Sequence, residues 1–420
     1  MKKQKIIIIS LVVSLVALLG VIIGVVWKTN QDKETATILP TETVSVVTET
    51  TEEPEPQKIR LMMLGDNLMH MGIVHTGKQA DGSYDYSFMF EGISEYLEYA
   101  DIKMINQETI LAGNNRGFSG FPYFNSPTEV GDAIVEAGFN VVLHSSNHSA
   151  DQGIDGIYNC LEFWAQYPEV IVTGIFENPG EENEDIALLE IDGVTFAILN
   201  YTYGPNMDTI VSSVQGHLGM LCDWDENTGL IDFTTIHPDV LTDIATAEQL
   251  ADVVIVCPHW GAEYMSEPTS YQVKFAEQMT EAGADLIIGT HPHVVQPVEW
   301  IETENGNRAL CYYSLGNYVS TQKNGLSMLE GMAWVTFLVE EDGVKIVEDE
   351  TGIIPMVCHY NYSPTRLESV YFLDKYTEEQ AANHGIHGYG GVNLTLADLQ
   401  GWSDEILGEW VLSSDEVLGK

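Results

Sequence analysis

The chain has 420 residues and carries 63 acidic against 17 basic side chains, a formal charge of −46. A surface of that sign argues against nucleic acid as a partner, because counterion release needs clustered cations. It argues equally against loose electrostatic capture of any polyanion, which would have to be held through metal ions or a few well-placed cations. The acidity itself fits solubility outside the cell.

Lys2, Lys3 and Lys5 precede an uncharged run from Ile6 to Trp27. As a helix that run would be roughly 33 Å long, enough to cross a hydrocarbon core. It is long for a signal-peptide core and no clear small-x-small cleavage site follows, so it reads as an uncleaved signal anchor; a cleaved signal peptide is the other reading. The three lysines hold residues 1–5 in the cytoplasm, which leaves a single-pass protein of the cell membrane with its bulk extracellular. Residues 28–57 are rich in Thr, Glu and Pro. They cannot bury enough apolar surface to offset their ordering entropy, and read as a disordered stalk.

The folded region begins at Lys58. Ile59 to Leu64 is an apolar strand ending in Gly65-Asp66-Asn67. Phe90 to Ala100 has helical spacing, and Ile102 to Ile105 is a strand ending in Asn106-Gln107-Glu108. Thr128 to Ala137 predicts a helix closed by Gly138. Val141 to Leu143 is a strand that leads into His144 to Asp151, followed by a helix from Gly153 to Gln166. Val170 to Thr173 is a short strand. Asp192-Gly193 between two apolar runs is a hairpin signal. Asp239 to Leu250 is helical, and Val253 to Val256 is a strand leading to Pro258-His259-Trp260-Gly261-Ala262-Glu263. Tyr271 to Ala282 is helical and feeds the strand Ala284 to Ile288, which ends in Gly289-Thr290-His291-Pro292-His293. Leu310 to Tyr313 precedes Ser314-Leu315-Gly316-Asn317. Met332 to Glu340 and Val344 to Val347 flank Asp342-Gly343 as a second hairpin. Helix–strand alternation of this kind implies a layered α/β domain.

Cys160, Cys222, Cys257, Cys311 and Cys358 are widely spaced and odd in number, which argues against a disulfide framework and for buried free thiols. Asp66, Glu108, Asn147-His148, His259 and the pair His291/His293 all follow the ends of buried strands. Each alone is more often structural. Their common placement points to a shared metal site, because ligands of open α/β sheets gather at the carboxyl ends of strands. The mixture of carboxylate, amide and imidazole suits Zn, Mn or Fe.

The series Gly65-Asp66, Asn106-x-Glu108, Asn147-His148, His259-Trp260-Gly261-x-Glu263, Gly289-x-His291-Pro292-His293 and Ser314-Leu315-Gly316-Asn317 resembles the CapA family of capsule and poly-γ-glutamate synthesis. That family is similar in fold to calcineurin-like metallophosphatases. The resemblance runs from about residue 59 to residue 320 and implies a four-layer α/β/β/α sandwich; with the second hairpin extending it, the domain is placed at residues 58–358, and the acidic residues 359–420 read as a C-terminal appendage or a partner-binding segment. The resemblance also implies one divalent ion at Glu108, Asn147, His259 and His291, and a second at Asp66 and His293 with Glu108 bridging. His148 would be the acid that protonates a leaving group. The phosphatase pattern has Asp-x-His where Asp66 is followed by Asn67 and Leu68, and a bridging Asp where this chain has Glu108. His70 lies four positions on. One ion or two therefore stays open.

Around these residues, Glu263 could orient His259, Asp151 and Asp155 would fix the Asn147-His148 loop and cap the next helix, and Asn317 would reach the site from its own strand end. His384 and His387, in a Gly-rich loop, read as exposed. Two functions follow. One is a surface-anchored factor that helps make or export an anionic polymer alongside other capsule-synthesis proteins. The other is a metal-dependent hydrolase of the cell envelope, acting on a phosphoester or amide through a metal-activated water.

Overall fold

The structure, a computed structural model, describes residues 57–177, 186–206, 211–225, 227–341 and 343–420. The expected anchor and nearly all of the expected stalk lie outside the described residues. Among those described, no helix is long and apolar enough to cross a membrane.

Strands β1 (Lys58–Asn67), β2 (Ile102–Asn106), β3 (Val141–Leu143) and β4 (Ile171–Thr173) alternate with helices α1 (Met71–Gly77), α2 (Ser94–Tyr99), α3 (Glu129–Glu136) and α4 (Gly153–Trp164). Next come β5 (Ala187–Ile191), β6 (Val194–Thr202), β7 (Cys222–Trp224), β8 (Ile231–Ile236), α5 (Pro238–Leu250), β9 (Val253–His259), α6 (Ser270–Ala282), β10 (Leu286–Ile288), β11 (Val298–Glu302), β12 (Arg308–Tyr312) and β13 (Asn317–Val319). The chain closes with β14 (Leu329–Glu340), β15 (Gly343–Ile346), β16 (Gly352–Asn361), β17 (Arg366–Phe372), α7 (Glu378–Asn383), α8 (Leu396–Leu407) and α9 (Ser414–Val417).

Two large sheets result. The first has the order β17-β16-β14-β1-β2-β3-β4, with β13 against β1 and β15 against β14; the second has the order β11-β12-β10-β9-β6-β5. β1 to β4 run parallel in the first, and β6, β9, β10 and β12 run parallel in the second. Successive side chains of a strand point to opposite faces, and the core sorts itself accordingly. Ile59, Leu61 and Met63 of β1 pack with Val253, Ile255 and Cys257 of β9 between the sheets. Met62 and Leu64 face a second cluster with Ile134, Ile157 and Trp164 of α3 and α4. Val254 and Val256 face a third with Val240, Ile244 and Phe275 of α5 and α6. The layers are therefore helix, sheet, sheet, helix. All five cysteines are buried free thiols, filling apolar space as the spacing implied.

Several elements differ from expectation. The helix over residues 90–100 is shorter: a 3-10 turn over Glu91–Ile93 comes first, and α2 begins at Ser94. Gly92 lies in that turn, where a Cβ would sit 2.9 Å from the Val370 carbonyl oxygen of β17. The expected boundary at residue 358 falls inside β16. Beyond it, β17 adds a strand to the first sheet, and Leu373, Tyr376, Ile386, Leu394, Leu399 and Leu407 join the core between the layers. His384 is not exposed. It is buried, its Nε2 bonded to the Cys358 carbonyl at 2.8 Å and its Nδ1 accepting from the Ile386 N–H at 3.0 Å. His387 is half-buried, with Nε2 2.9 Å from the Ala381 carbonyl.

Candidate metal centre

Parallel strands bring their carboxyl ends to one edge of each sheet. At that edge β1 supplies Asp66, the residues after β2 supply Glu108, the loop after β3 supplies Asn147 and His148, β9 ends on His259, and the turn after β10 carries His291 and His293. Two glycines of the motifs allow the close approach this needs. A Cβ on Gly65 would lie 2.1 Å from the Gly316 carbonyl oxygen, and one on Gly289 would lie 2.2 Å from that of Tyr313. His291 and His293 both have positive φ, 97° and 57°. Such conformations cost about 1–3 kcal/mol each and persist where the surroundings fix them. Here Thr290 N–H bonds Pro258 O, Trp260 N–H bonds Thr290 O, and Tyr264 N–H bonds Pro292 O at 2.7 Å.

The two sheets meet at Asp66. Its Oδ2 accepts from His293 Nδ1 at 3.0 Å and from the His291 backbone N–H at 3.2 Å, and its Oδ1 accepts from Asn106 Nδ2 at 2.7 Å. Asp66, Glu108 and His293 offer ligand atoms within 4.8 Å of one another. His259 Nε2 lies 3.8 Å from Glu108 Oε1 and 3.0 Å from Asn147 Oδ1, and the His259 and His291 rings are 4.8 Å apart. All six residues expected to ligate are at least nine-tenths buried.

The unmatched groups are the informative ones. Both Glu108 carboxylate oxygens, His291 Nδ1 and Asn106 Oδ1 are buried without a hydrogen-bond partner. A buried carboxylate left unpaired is strongly destabilising. Burial, and then the Asp66 carboxylate beside it, push Glu108 well above the ordinary carboxylate range. Burial and neighbouring imidazoles hold His259 and His291 well below the usual imidazole range, in the neutral form that binds metal. Burial alone would lower His293, but Glu108 and Asp66 push it up to about 9. These donors fit a divalent cation, which would satisfy Glu108 and replace the proton that His293 otherwise borrows.

The surrounding residues divide. Glu263 does not orient His259: it is exposed, and His259 Nδ1 instead meets Thr290 Oγ1 at 2.9 Å. Thr290 lay inside the quoted motif, but nothing in its position showed which histidine it would meet. Asn106, whose amide holds Asp66, was likewise quoted without a role. Asn317 pairs with Asp66 across β13 and donates to the His293 carbonyl at 3.3 Å. Asp151 Oδ2 lies 2.7 Å from His148 Nδ1 and accepts from the Phe124 N–H at 2.7 Å. It fixes the loop as expected but does not cap α4, whose N-cap is Gln152; Asp155 sits in that helix's first turn. His70 stands outside the Asp66–Glu108–His293 group. Burial first, then His293 and His148, push it down to about 4. His70, His148 and His293 line a cleft of about 690 Å³ that opens beside the centre.

The family model for the bacterial capsule synthesis protein PGA_cap matches residues 60–322. The capsule biosynthesis protein CapA of Bacillus anthracis is 27% identical over 303 residues, 70% of this chain and 67% of that protein. The PGA biosynthesis protein CapA of Bacillus subtilis (strain 168) is 32% identical over 213 residues, 50% of each chain. This chain therefore spans half of one curated relative and two thirds of the other. Among solved structures, the calcineurin-like phosphoesterase YfkN from Bacillus subtilis is similar with a TM-score of 0.40 at 11% identity, over 83% of this chain and 97% of that one. The matched span runs from β1 to just past β13 and takes in every strand end described above: the chain belongs to the bacterial capsule synthesis protein family PGA_cap.

Proposed function

We propose that the chain is a membrane-anchored, outward-facing component of capsule or poly-γ-glutamate synthesis and export, built around a divalent metal centre at the edge where its two sheets meet. The observation that carries the metal centre is Glu108, a buried carboxylate with both oxygens without a hydrogen-bond partner among Asp66, His259 and His293. Membership of the capsule-synthesis family and kinship with CapA proteins support the biological setting. The uncharged segment 6–27 behind three lysines supports the anchor.

Asp66, Glu108 and His293 would hold one ion, and Asn147, His259 and His291 complete the set around the shared Glu108. A divalent ion there supplies Lewis acidity toward an anionic or carbonyl oxygen. Asn106 and His293 fix the Asp66 carboxylate, and Thr290 fixes the His259 ring so that Nε2 faces the centre. Metal content of the purified protein tests the reading. The wild type is expected to retain a divalent ion, and Glu108→Ala and His291→Ala to lose most of it; equal, negligible metal in all three would end it.

The hydrolase reading is favoured by one observation. His148, tied through Nδ1 to Asp151, stands in the cleft wall beside the centre, where Nε2 would hand a proton to a leaving group. Turnover of a generic phosphoester, lost in His148→Ala with metal retained, supports it. Loss of capsule polymer in His291→Ala with no hydrolysis by the wild type supports the assembly role instead.

A further inference from the structure

The family match ends at residue 322, yet the cleft beside the centre does not. Its lining continues through Lys323, Asn324, Thr365 and Tyr389. Lys323 is the one lysine or arginine among the lining residues, and Glu263 the one carboxylate. Lys323 is exposed, and its ammonium lies 4.6 Å from the centre of the Tyr389 ring, with no carboxylate within ion-pair distance among the described residues. That is unusual company for a lysine in a chain with nearly four acidic side chains per basic one.

The segment that carries Lys323 is held firmly. Tyr360 Oη donates to the Gln322 carbonyl at 2.8 Å, and Asn317 Nδ2 donates to Gln322 Oε1 at 3.2 Å. Asn317 in turn pairs with Asp66, so the lysine is tied to the metal centre through two contacts. The Tyr389 hydroxyl bonds Thr365 Oγ1 at 2.8 Å, which fixes the ring under the ammonium. An aromatic face holds a cation without neutralising it, leaving the charge available to a ligand. Glu263, on the segment pinned to Pro292, repels negative charge from its own side of the cleft.

We propose that Lys323, seated on Tyr389, recognises an anionic group, carboxylate or phosphate, on the ligand whose other end meets the metal centre. This rests on the metal-centre reading above. Lys323 is a specificity-determining residue and takes no part in holding the ion. It also gives so acidic a chain a fixed cation, besides the metal, with which to meet a negatively charged ligand.

The test uses the full chain loaded with Mn²⁺ or Zn²⁺. Inorganic phosphate and succinate are titrated separately by calorimetry into wild type, Lys323→Met, Lys323→Arg and Tyr389→Leu, with metal content measured on each sample. Lys323→Met is expected to keep wild-type metal and to bind at least one probe roughly fivefold more weakly, the scale of an exposed ion pair. Lys323→Arg is expected to recover most of that loss. Weakening confined to one probe supports the proposal and names the anion. Unchanged affinity for both probes in Lys323→Met, or a wild type that binds neither, overturns it. The metal-centre reading fails separately, if Glu108→Ala holds as much metal as wild type.

Discussion

At the scale of single residues, the centre is a set of donors that do not satisfy one another. Glu108 shows this most directly, with two buried oxygens and no donor. Glu108→Gln keeps the shape and removes the charge. It is expected to retain less than about a tenth of the wild-type metal by elemental analysis. Without metal, the same variant is expected to unfold at an equal or higher urea concentration than metal-free wild type, because a buried carboxyl that finds no hydrogen-bond donor gives way to an uncharged amide. The ligand candidates were legible because each follows an apolar run by one to a few positions. Thr290 and Asn106 were not, because their value depends on which atoms the fold brings opposite them. Glu263 shows the reverse error: a carboxylate four positions past His259 looked like a partner, but the chain turns it outward.

At the scale of elements, the hairpins and the helices with long periodic patterns followed the sequence closely. Asp192 and Gly193 both adopt positive φ, the geometry that a two-residue turn between twisted strands requires. The C-terminal segment was harder. β17 has no clean alternation of buried and exposed positions, and His384 sits among glycines that read as surface. Its neutral ring holds two backbone groups, and burial, foremost, pushes it down to about 3. A histidine lowered on folding contributes stability above its unfolded pKa of about 6.5, and that contribution is lost as pH falls through 6.5 toward 3. Between pH 7 and pH 5 the loss is about 2 kcal/mol. His384→Gln keeps a donor and an acceptor without titrating. Urea unfolding at both pH values is expected to show a smaller pH dependence in the variant than in wild type.

At the scale of the whole molecule, the donors come from both sheets: Asp66, Glu108 and Asn147 from the first, His259, His291 and His293 from the second. An ion there would bridge the two. Because it binds only the folded form, it is expected to stabilise the protein by about 3 kcal/mol at a free concentration 100 times its dissociation constant. Thermal unfolding with and without EDTA checks this; an unchanged midpoint would mean that the folded protein holds no ion that EDTA removes. Residues 359–420 belong to the same body. A chain ended at residue 358 would strip β17 and the core side chains that follow it, and is expected to yield protease-sensitive, insoluble protein rather than a smaller stable domain. The alternating apolar faces of the strands could be read in advance. That β17 and α8 complete the sandwich could not, because their apolar positions are too sparse to show a partner until the sheets are assembled.

The Tyr389 platform has an evolutionary corollary. The donors are clamped by strand pairing in the matched span, whereas one side of the cleft, with Lys323, Asn324, Thr365 and Tyr389, is drawn from later sequence. Substitutions on that side can then retune which molecules are admitted while the coordination chemistry stays untouched. Grafting that side of one homologue onto the body of another should transfer preference without disturbing the ion.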